Sequence, residues 1–524
     1  MKIISIIHFW LVLASYTHAA ERPNIVIFYV DDLGWADTSV RMMESDPNSA
    51  SDFHQTPHLA ALAKGGMKFS NAYAPAPTCT PSRKSIQFGK TPGRLGYTFV
   101  HDVLALQRKL EWKDETSLAD VVKAADPNYI TAHFGKGMGN ERMETIGYDV
   151  TDELEPHGDN GNFHGDYISI KNRTKLPPDN PKRMASLRKS SVDFVNEHSG
   201  KRPFLMMVSH YAVHVPHAAR ADLIEKYRRL PRGKHLTDSD YLPVDEMPKG
   251  KVISSWRLQY AAMLEECDEG VGAIVAALKK TGQLDNTLII FTSDNGGGLG
   301  PNGTLRGGKA NLYEGGLRVP FVVAGPGVKA GVQCDVPVSQ WDLLPTIHDY
   351  AKSAQPLPKD LDGASLRGVF EQGNGGKVKR PVEGLVFHYP CYFAPPLTVI
   401  RLGDYKFMEH HLSGEQKLFN VKTDYAEQTN LIESMPEKAS ELRMVMMRYL
   451  VAIDAEDVQD VYKARFAELD RFEAMARQNH KKSIERARGN QKLVGEADAR
   501  LKEQLERFER NRKECRANMQ GKTF

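Results

Sequence analysis

Two runs of β-branched and apolar residues, Asn24-Ile-Val-Ile-Phe-Tyr-Val30 and Thr287-Leu-Ile-Ile-Phe-Thr292, each break off in acidic residues. The first ends in Asp31-Asp32-Leu33-Gly34, the second in Ser293-Asp294-Asn295-Gly296. A run with no polar face has no side to turn to water, so each predicts a strand buried on both faces. Similar runs lie at 129–134, 204–210 and 319–324. Amphipathic stretches at 57–65, 82–89, 116–125, 182–198, 253–280 and 341–352 alternate with them and predict helices. Such alternation predicts an α/β sheet covered by helices on both faces. Ligand sites in these sheets gather beyond the carboxyl ends of the strands, which is where both acidic clusters fall.

Asp31, Asp32, Asp294 and Asn295 offer only oxygen atoms. Oxygen-only ligation suits calcium or magnesium rather than zinc, although either cluster alone could simply cap a turn or helix. Cys79 opens Cys79-Thr80-Pro81-Ser82-Arg83 just ahead of a predicted helix. Pro81 suits a first helical turn, and the free N–H groups there favour an anion such as a sulfate or phosphate ester. A lone cysteine would read as a small buried hydrophobe, or as a thiolate nucleophile needing a nearby base. Phe134-Gly-Lys136-Gly-Met138-Gly139 follows another strand. Leu305-Arg-Gly-Gly-Lys309 leads into a glycine-dense loop running to Pro320, and Lys309 could meet an anionic oxygen as a compact charge. Glu314 and Arg318 in that loop read as a bracing ion pair. His210, His214 and His217 follow the strand at 204–210; His217 and His388 are possible substrate contacts.

These motifs together resemble the type I sulfatases of the alkaline phosphatase superfamily. The resemblance runs from residue 22 to about 452. It includes Thr56-Pro-His-Leu-Ala-Ala-Leu-Ala63 ahead of Cys79, Thr116-Ser-Leu-Ala-Asp-Val-Val122 ahead of Lys136, and Ile400-Arg-Leu-Gly-Asp-Tyr-Lys406. It implies an α/β fold with a large central mixed β-sheet flanked by helices and a smaller C-terminal antiparallel sheet with a helix. It implies hydrolysis of sulfate monoesters, with carbohydrate sulfates as natural targets and aryl sulfates as surrogates. The implied metal is calcium, with magnesium allowed, held by Asp31, Asp32, Asp294, Asn295 and the modified Cys79.

In the mechanism implied, a formylglycine-generating enzyme oxidises Cys79 to formylglycine, which is hydrated to a geminal diol. One hydroxyl attacks sulfur in line and the alcohol leaves; the other hydroxyl then loses its proton and expels sulfate, regenerating the aldehyde, a release that an ordinary serine ester has no easy way to make. Arg83 and Lys136 would stabilise the diol, and Lys309 and His214 would face the leaving oxygen, His214 as general acid. One family position departs: the histidine two residues after the lysine falls on Met138, which cannot carry a proton. His133 is a possible stand-in, but strand alternation turns it away. A phosphoester or phosphonate hydrolase of the same superfamily shares the core motifs, and a non-catalytic binding protein would explain Met138.

Met1-Lys2, the apolar stretch 3–14 and the small residues before Ala20 predict a signal peptide over 1–20. The stretch is short for a membrane span, so the expectation is a periplasmic or secreted protein with no span after cleavage. The expected organisation is a catalytic unit at 21–360, a Pro/Gly/Lys-rich linker near 354–382, a smaller α+β unit at 380–455 and a charged helical tail at 456–524. The tail could be one helix or a hairpin broken near Gly489-Asn490, either a solvated appendage or an oligomerising element. The stretches 151–180 and 229–250 predict long binding loops. A formal net charge of only +3 gives no argument for nucleic acid. The five cysteines, an odd number, leave at least one unpaired or chemically used, and Cys79 is the natural one.

Overall fold

A computed structural model describes residues 22–100, 102–139, 141–152, 179–215, 217–231, 233, 255–298, 302–390 and 395–519. The predicted signal peptide and most of the loops 151–180 and 229–250 lie outside the described residues. In chain order the strands are β1 (Asn24–Val30), β2 (Met67–Phe69), β3 (Ala72–Tyr73), β4 (Ile130–Gly135), β5 (Val150–Thr151), β6 (Phe204–Ser209) and β7 (Thr287–Ser293). They continue as β8 (Phe321–Ala324), β9 (Val332–Cys334), β10 (Val338–Ser339), β11 (Leu385–Tyr389), β12 (Leu397–Leu402), β13 (Tyr405–His410) and β14 (Gln416–Asn420). Among the described residues, eight strands form a mixed sheet in the order β5-β4-β6-β1-β7-β8-β2-β9. The neighbours from β5 to β7 are parallel, and β8 runs antiparallel to both of its neighbours.

The unbroken apolar runs are explained by two cores. β1 sends Ile25, Ile27 and Tyr29 to one face and Val26, Phe28 and Val30 to the other, all fully buried. Helices Cys79–Phe88, Leu118–Ala125 and Leu343–Tyr350 cover the first face; helices Pro57–Gly65, Met184–His198 and Ser255–Lys280 cover the second. Truncating such a core residue as Ile27 to alanine costs about 2–5 kcal/mol. Helix Leu118–Ala125 starts in a capping box, Ser117 accepting from the Asp120 N–H and Asp120 from the Ser117 N–H.

Two sequence expectations shift. The helix predicted from 82 starts at Cys79; its first turn is polar, so apolar periodicity becomes visible only later. The expected linker near 354–382 is not a free connector: it carries helix Arg367–Gln372 and buries Leu361, Leu366, Val369 and Phe370 in the first core.

β11 to β14 form a four-stranded antiparallel sheet. Val386, Ile400, Phe407 and Leu418 on one face pack against Leu442, Met446 and Tyr449 of helix Pro436–Ala452. A buried charge cluster ties this sheet to the glycine-dense loop. Glu314 pairs with Arg318 and accepts from Lys406 Nζ at 2.8 Å and from the Tyr73 hydroxyl at 2.7 Å; Lys406 also lies 2.8 Å from Glu427. The tail is a hairpin of helices Val458–Ala487 and Gln491–Met519, broken where expected by Arg488 and Gly489 in left-handed conformation. Cys79, Cys267, Cys334 and Cys515 are all free and buried; Cys391 lies outside the described residues. No helix among them is long and apolar enough to cross a membrane.

Candidate active site and metal centre

In β1 and β7, Val30 lies opposite Ser293, so Asp31 and Asp294 leave the sheet side by side. Both continue the alternation that points Tyr29 and Ile290 into the first core, the face on which helix Cys79–Phe88 packs. In β4 and β6, Gly135 lies opposite Ser209, which brings Lys136 and His210 out at the same edge. The sheet thus gathers Lys136, the 210–214 segment, Asp31 and Asp294 from four adjacent strands, and helix Cys79–Phe88 brings its first residue to them. Ligand atoms of Asp31, Cys79 and Asp294 lie within 4.8 Å of one another, and all three residues are buried.

Arg83 sits four residues after Cys79, on the same face of the helix. Its Nε donates to Asp294 Oδ2 at 2.8 Å, and its Nη1 donates to the Lys136 carbonyl at 3.0 Å and to Ser209 Oγ at 2.5 Å. Lys136 Nζ donates to Asp31. Lys309 Nζ donates to the Asp32 carboxylate at 2.7 Å, and Asn295 Nδ2 donates to its other oxygen at 2.8 Å. Asp32 adopts a left-handed φ of +63°, which an aspartate tolerates better than most residues, and its N–H donates to Asp294 Oδ1 at 3.1 Å. The segment after β6 is clipped to β1 by three backbone bonds: His210 N–H to the Tyr29 carbonyl at 2.8 Å, Asp31 N–H to Ala212 at 2.9 Å and Val213 N–H to Asp31 at 2.7 Å. This places His214 Nε2 3.6 Å from Asp32. Its Nδ1 lies 2.6 Å from the Val215 carbonyl, which can only accept, so Nδ1 carries the proton.

The Lys309 loop is held by backbone contact. Lys309 N–H donates to Gly297 at 3.1 Å, and Ala310 N–H to Pro77, two residues before Cys79, at 2.8 Å. Glycine is required at Gly316, where a Cβ would stand 1.9 Å from the Asn311 carbonyl oxygen.

Charge balance is tight. Burial opposes ionisation of Asp31, but Lys136, His214, Arg83 and Lys309 outweigh it and hold the carboxyl well below the usual range. Burial and the neighbouring Asp31 push Asp294 up, against Arg83. Burial lowers His214 despite Asp31 and Asp32. Burial opposes the charge of Lys309, and Asp32 overrides it, raising the amine above its ordinary value.

The oxygen donors fit a hard cation. Asp31 Oδ1 and Asn295 Oδ1 are buried with no hydrogen-bond partner, and Arg83 Nη2 comes no nearer to Asp31 Oδ1 than 3.8 Å. Both amide protons of Asn295 are already used, on Asp32 and on the Gly296 carbonyl, which leaves its oxygen to point at a ligand.

Not every expected residue joins this cluster. His388 is buried in the small sheet, with Nδ1 2.7 Å from Thr398 Oγ1 and Nε2 2.9 Å from the Glu456 carbonyl; both nitrogens are committed away from the site. His217 stands edge-on to Tyr260 at 5.8 Å. His133 stands edge-on to Tyr148 at 5.4 Å; it lies opposite Met207 on the first-core face that the Cys79 helix covers, not turned away from it as alternation predicted. Met138 is packed in the first core. Ser209, which fixes the Arg83 guanidinium, carried no sequence signal, being the polar end of an apolar strand.

The profile of the family described as Sulfatase matches residues 23–353. The chain belongs to the sulfatase family. It is a sulfuric ester hydrolase, as are its relatives. This sulfatase is 31% identical to human arylsulfatase A over 425 residues, 76% of each chain. It is 29% identical to a choline-sulfatase of Rhizobium meliloti (strain 1021) over 454 residues, 79% of this chain and 83% of the relative. Its fold is shared by Ps i-CgsB, solved with k-i-k-neocarrahexaose, at a TM-score of 0.63 and 24% identity over 82% of this chain and 93% of that one. It is shared also by BT4656, solved with D-glucosamine-2-N,6-O-disulfate, at 0.62 and 22% over 83% and 98%.

Proposed function

We propose that this sulfatase is exported and removes sulfate from carbohydrate sulfate monoesters, with Cys79 converted to formylglycine. The observation that carries the reading is Cys79 at a helix N-terminus, with its sulfur inside the Asp31–Asp294 group. The predicted signal peptide supports export to a periplasm or beyond, and the saccharides bound by the two fold neighbours support the substrate class. Asp31, Asp32, Asp294, Asn295 and residue 79 would hold a calcium or magnesium ion. When present, the formylglycine supplies a hydrated-aldehyde oxygen as nucleophile and the ion supplies Lewis acidity toward the sulfuryl group.

The chain's own groups do the rest. Arg83, locked by Asp294, Ser209 and the Lys136 carbonyl, orients the helix end that carries residue 79. Lys136 places a positive charge beside Asp31, where negative charge builds on the nucleophile. Lys309 meets an anionic sulfate oxygen. His214, anchored through Nδ1, presents Nε2 to the leaving oxygen and, once it has taken up a proton there from solvent, donates that proton to the departing alcohol. Met138 takes no part in proton transfer.

Peptide mass spectrometry across residue 79, on protein made with a formylglycine-generating enzyme, tests the nucleophile. Formylglycine together with sulfate release from a saccharide is expected. An unmodified thiol in a protein that still turns over would remove this mechanism.

A further inference from the structure

The C-terminal hairpin changes character along its length. Its two helices close around Leu469, Ala476, Phe508 and Cys515, and the cluster reaches the body through Leu412. Away from the turn acids balance bases in number, and several pair: Lys463 with Asp460 at 3.0 Å, and Arg512 with Asp470 at 2.9 Å and Glu473 at 2.6 Å. Around the turn, residues 477–492 hold Arg477, Lys481, Lys482, Arg486, Arg488 and Lys492 against the single acid Glu485. All six cations are exposed. Arg477 is paired with Glu473; the other five make no ion pair among the described residues.

The helix macrodipole accounts for only part of this. It favours cations in the last turn of Val458–Ala487, which covers Arg486 and the capping Arg488. Lys481 and Lys482 lie before that turn. Lys492 lies in the first turn of Gln491–Met519, where the dipole disfavours it. Unpaired like charges set this close repel one another, so this end of the hairpin is arranged for an anion from outside. Between the helices is a cavity of about 350 Å³, lined in part by Asn479, His480, Ser483, Arg486, Arg500 and Gln504. Its neutral amide and hydroxyl groups suit sugar hydroxyls and Arg486 suits sulfate, while Arg500 lies 4.0 Å from Glu496, which also lines the cavity.

We propose that the basic end of the hairpin is a docking site for a sulfated polysaccharide, holding the polymer while the active site works on its sulfate esters. The proposal rests on the carbohydrate-sulfate reading for its occupant. The sulfatase family favours a sulfated glycan over another polyanion. Attachment by exposed cations is weak per contact and screened by salt, which suits an enzyme that must move along its substrate.

The test is equilibrium binding of dextran sulfate at low ionic strength to full-length protein with Cys79 left as the thiol, so that no turnover intervenes. The expected result is measurable binding, weakened about tenfold or more in the triple variant K481E/K482E/R488E, since three exposed cations become acids. The variant should keep the wild-type melting temperature and, once Cys79 is converted, wild-type turnover of a small aryl sulfate. Unchanged binding in the variant would overturn the proposal. So would equally tight binding of polyglutamate or of phosphatidylserine vesicles, which would make the patch a general polyanion or membrane contact. Hairpin-dependent binding with no sulfate released from any saccharide would keep the docking site and remove the carbohydrate-sulfate reading instead.

Discussion

Lys309 donates to Asp32 across 2.7 Å although 277 residues separate them in sequence. One bond thus fixes the glycine-dense loop to the acidic cluster that follows β1. With Asp32 raising its affinity for protons, Lys309 stays charged at every working pH. Lys309→Ala should lower turnover of an aryl sulfate about 10²–10³-fold, the loss typical of removing one donor from a developing anion. Lys309→Arg should restore little, because a planar fork does not replace a compact ammonium. Steady-state kinetics beside a melting curve checks this; near-normal turnover in the alanine variant would take Lys309 out of the reaction.

Arg83 is the counter-charge that lets Asp294 be buried. Arg83→Ala leaves the Asp294 carboxylate without its cation and Ser209 without its ligand. A loss of roughly 3–5 kcal/mol in unfolding free energy is expected, measured by denaturant titration. A loss below about 1 kcal/mol, the value of an exposed pair, would mean the pair adds little to the fold.

The orphaned oxygens of Asp31 and Asn295 point to a bound cation. Dialysis against a chelator should abolish turnover, and calcium or magnesium should restore it, whichever is the natural ion. Asp31→Asn and Asn295→Ala should each raise the metal concentration needed for half-maximal recovery. Full activity after exhaustive chelation would contradict the metal centre.

Glu456 predicts a pH effect away from the active site. It accepts from Thr98 Oγ1 at 2.9 Å, and burial, then the nearby Asp102, raise its carboxyl to about 8. A carboxyl that binds its proton more tightly folded than unfolded stabilises the fold fully below its unfolded value, about 4.3. That stability is lost as pH rises through about 8. Glu456→Gln should flatten the fall in melting temperature between those limits, with its largest relative gain above pH 8. An unaltered pH profile would show that Glu456 is ionised throughout.

How much of this was legible in the sequence depends on how local each signal was. The strands carrying Asp31, Lys136 and Asp294 showed themselves because burial on both faces demands unbroken apolar runs. β2 and β9, at three residues each, are too short to display a period. The Cys79 helix hid its first turn because capping positions are polar. The segment near 354–382 read as a linker because its prolines, glycines and lysines mask the few residues, Leu366, Val369 and Phe370, that bury it. His388 shows the opposite failure: a histidine beside aromatic residues invites a binding role, but Thr398 and the Glu456 carbonyl, 10 and 68 residues away, claim both nitrogens. Pairings of that range leave no mark on composition or spacing.

The buried Glu314–Arg318–Lys406 cluster has a consequence for anyone mapping this enzyme by mutation. Lys406 lies in β13, on a sheet that among the described residues supplies none of the groups around Cys79, yet it helps hold the loop on which Lys309 rides. A defect there would look, in an activity screen, like damage to the chemistry itself. The boundary of the catalytic apparatus therefore does not follow the boundary of the central sheet, and a chain cut short before β11 would keep every reacting group while losing the scaffold that aims one of them.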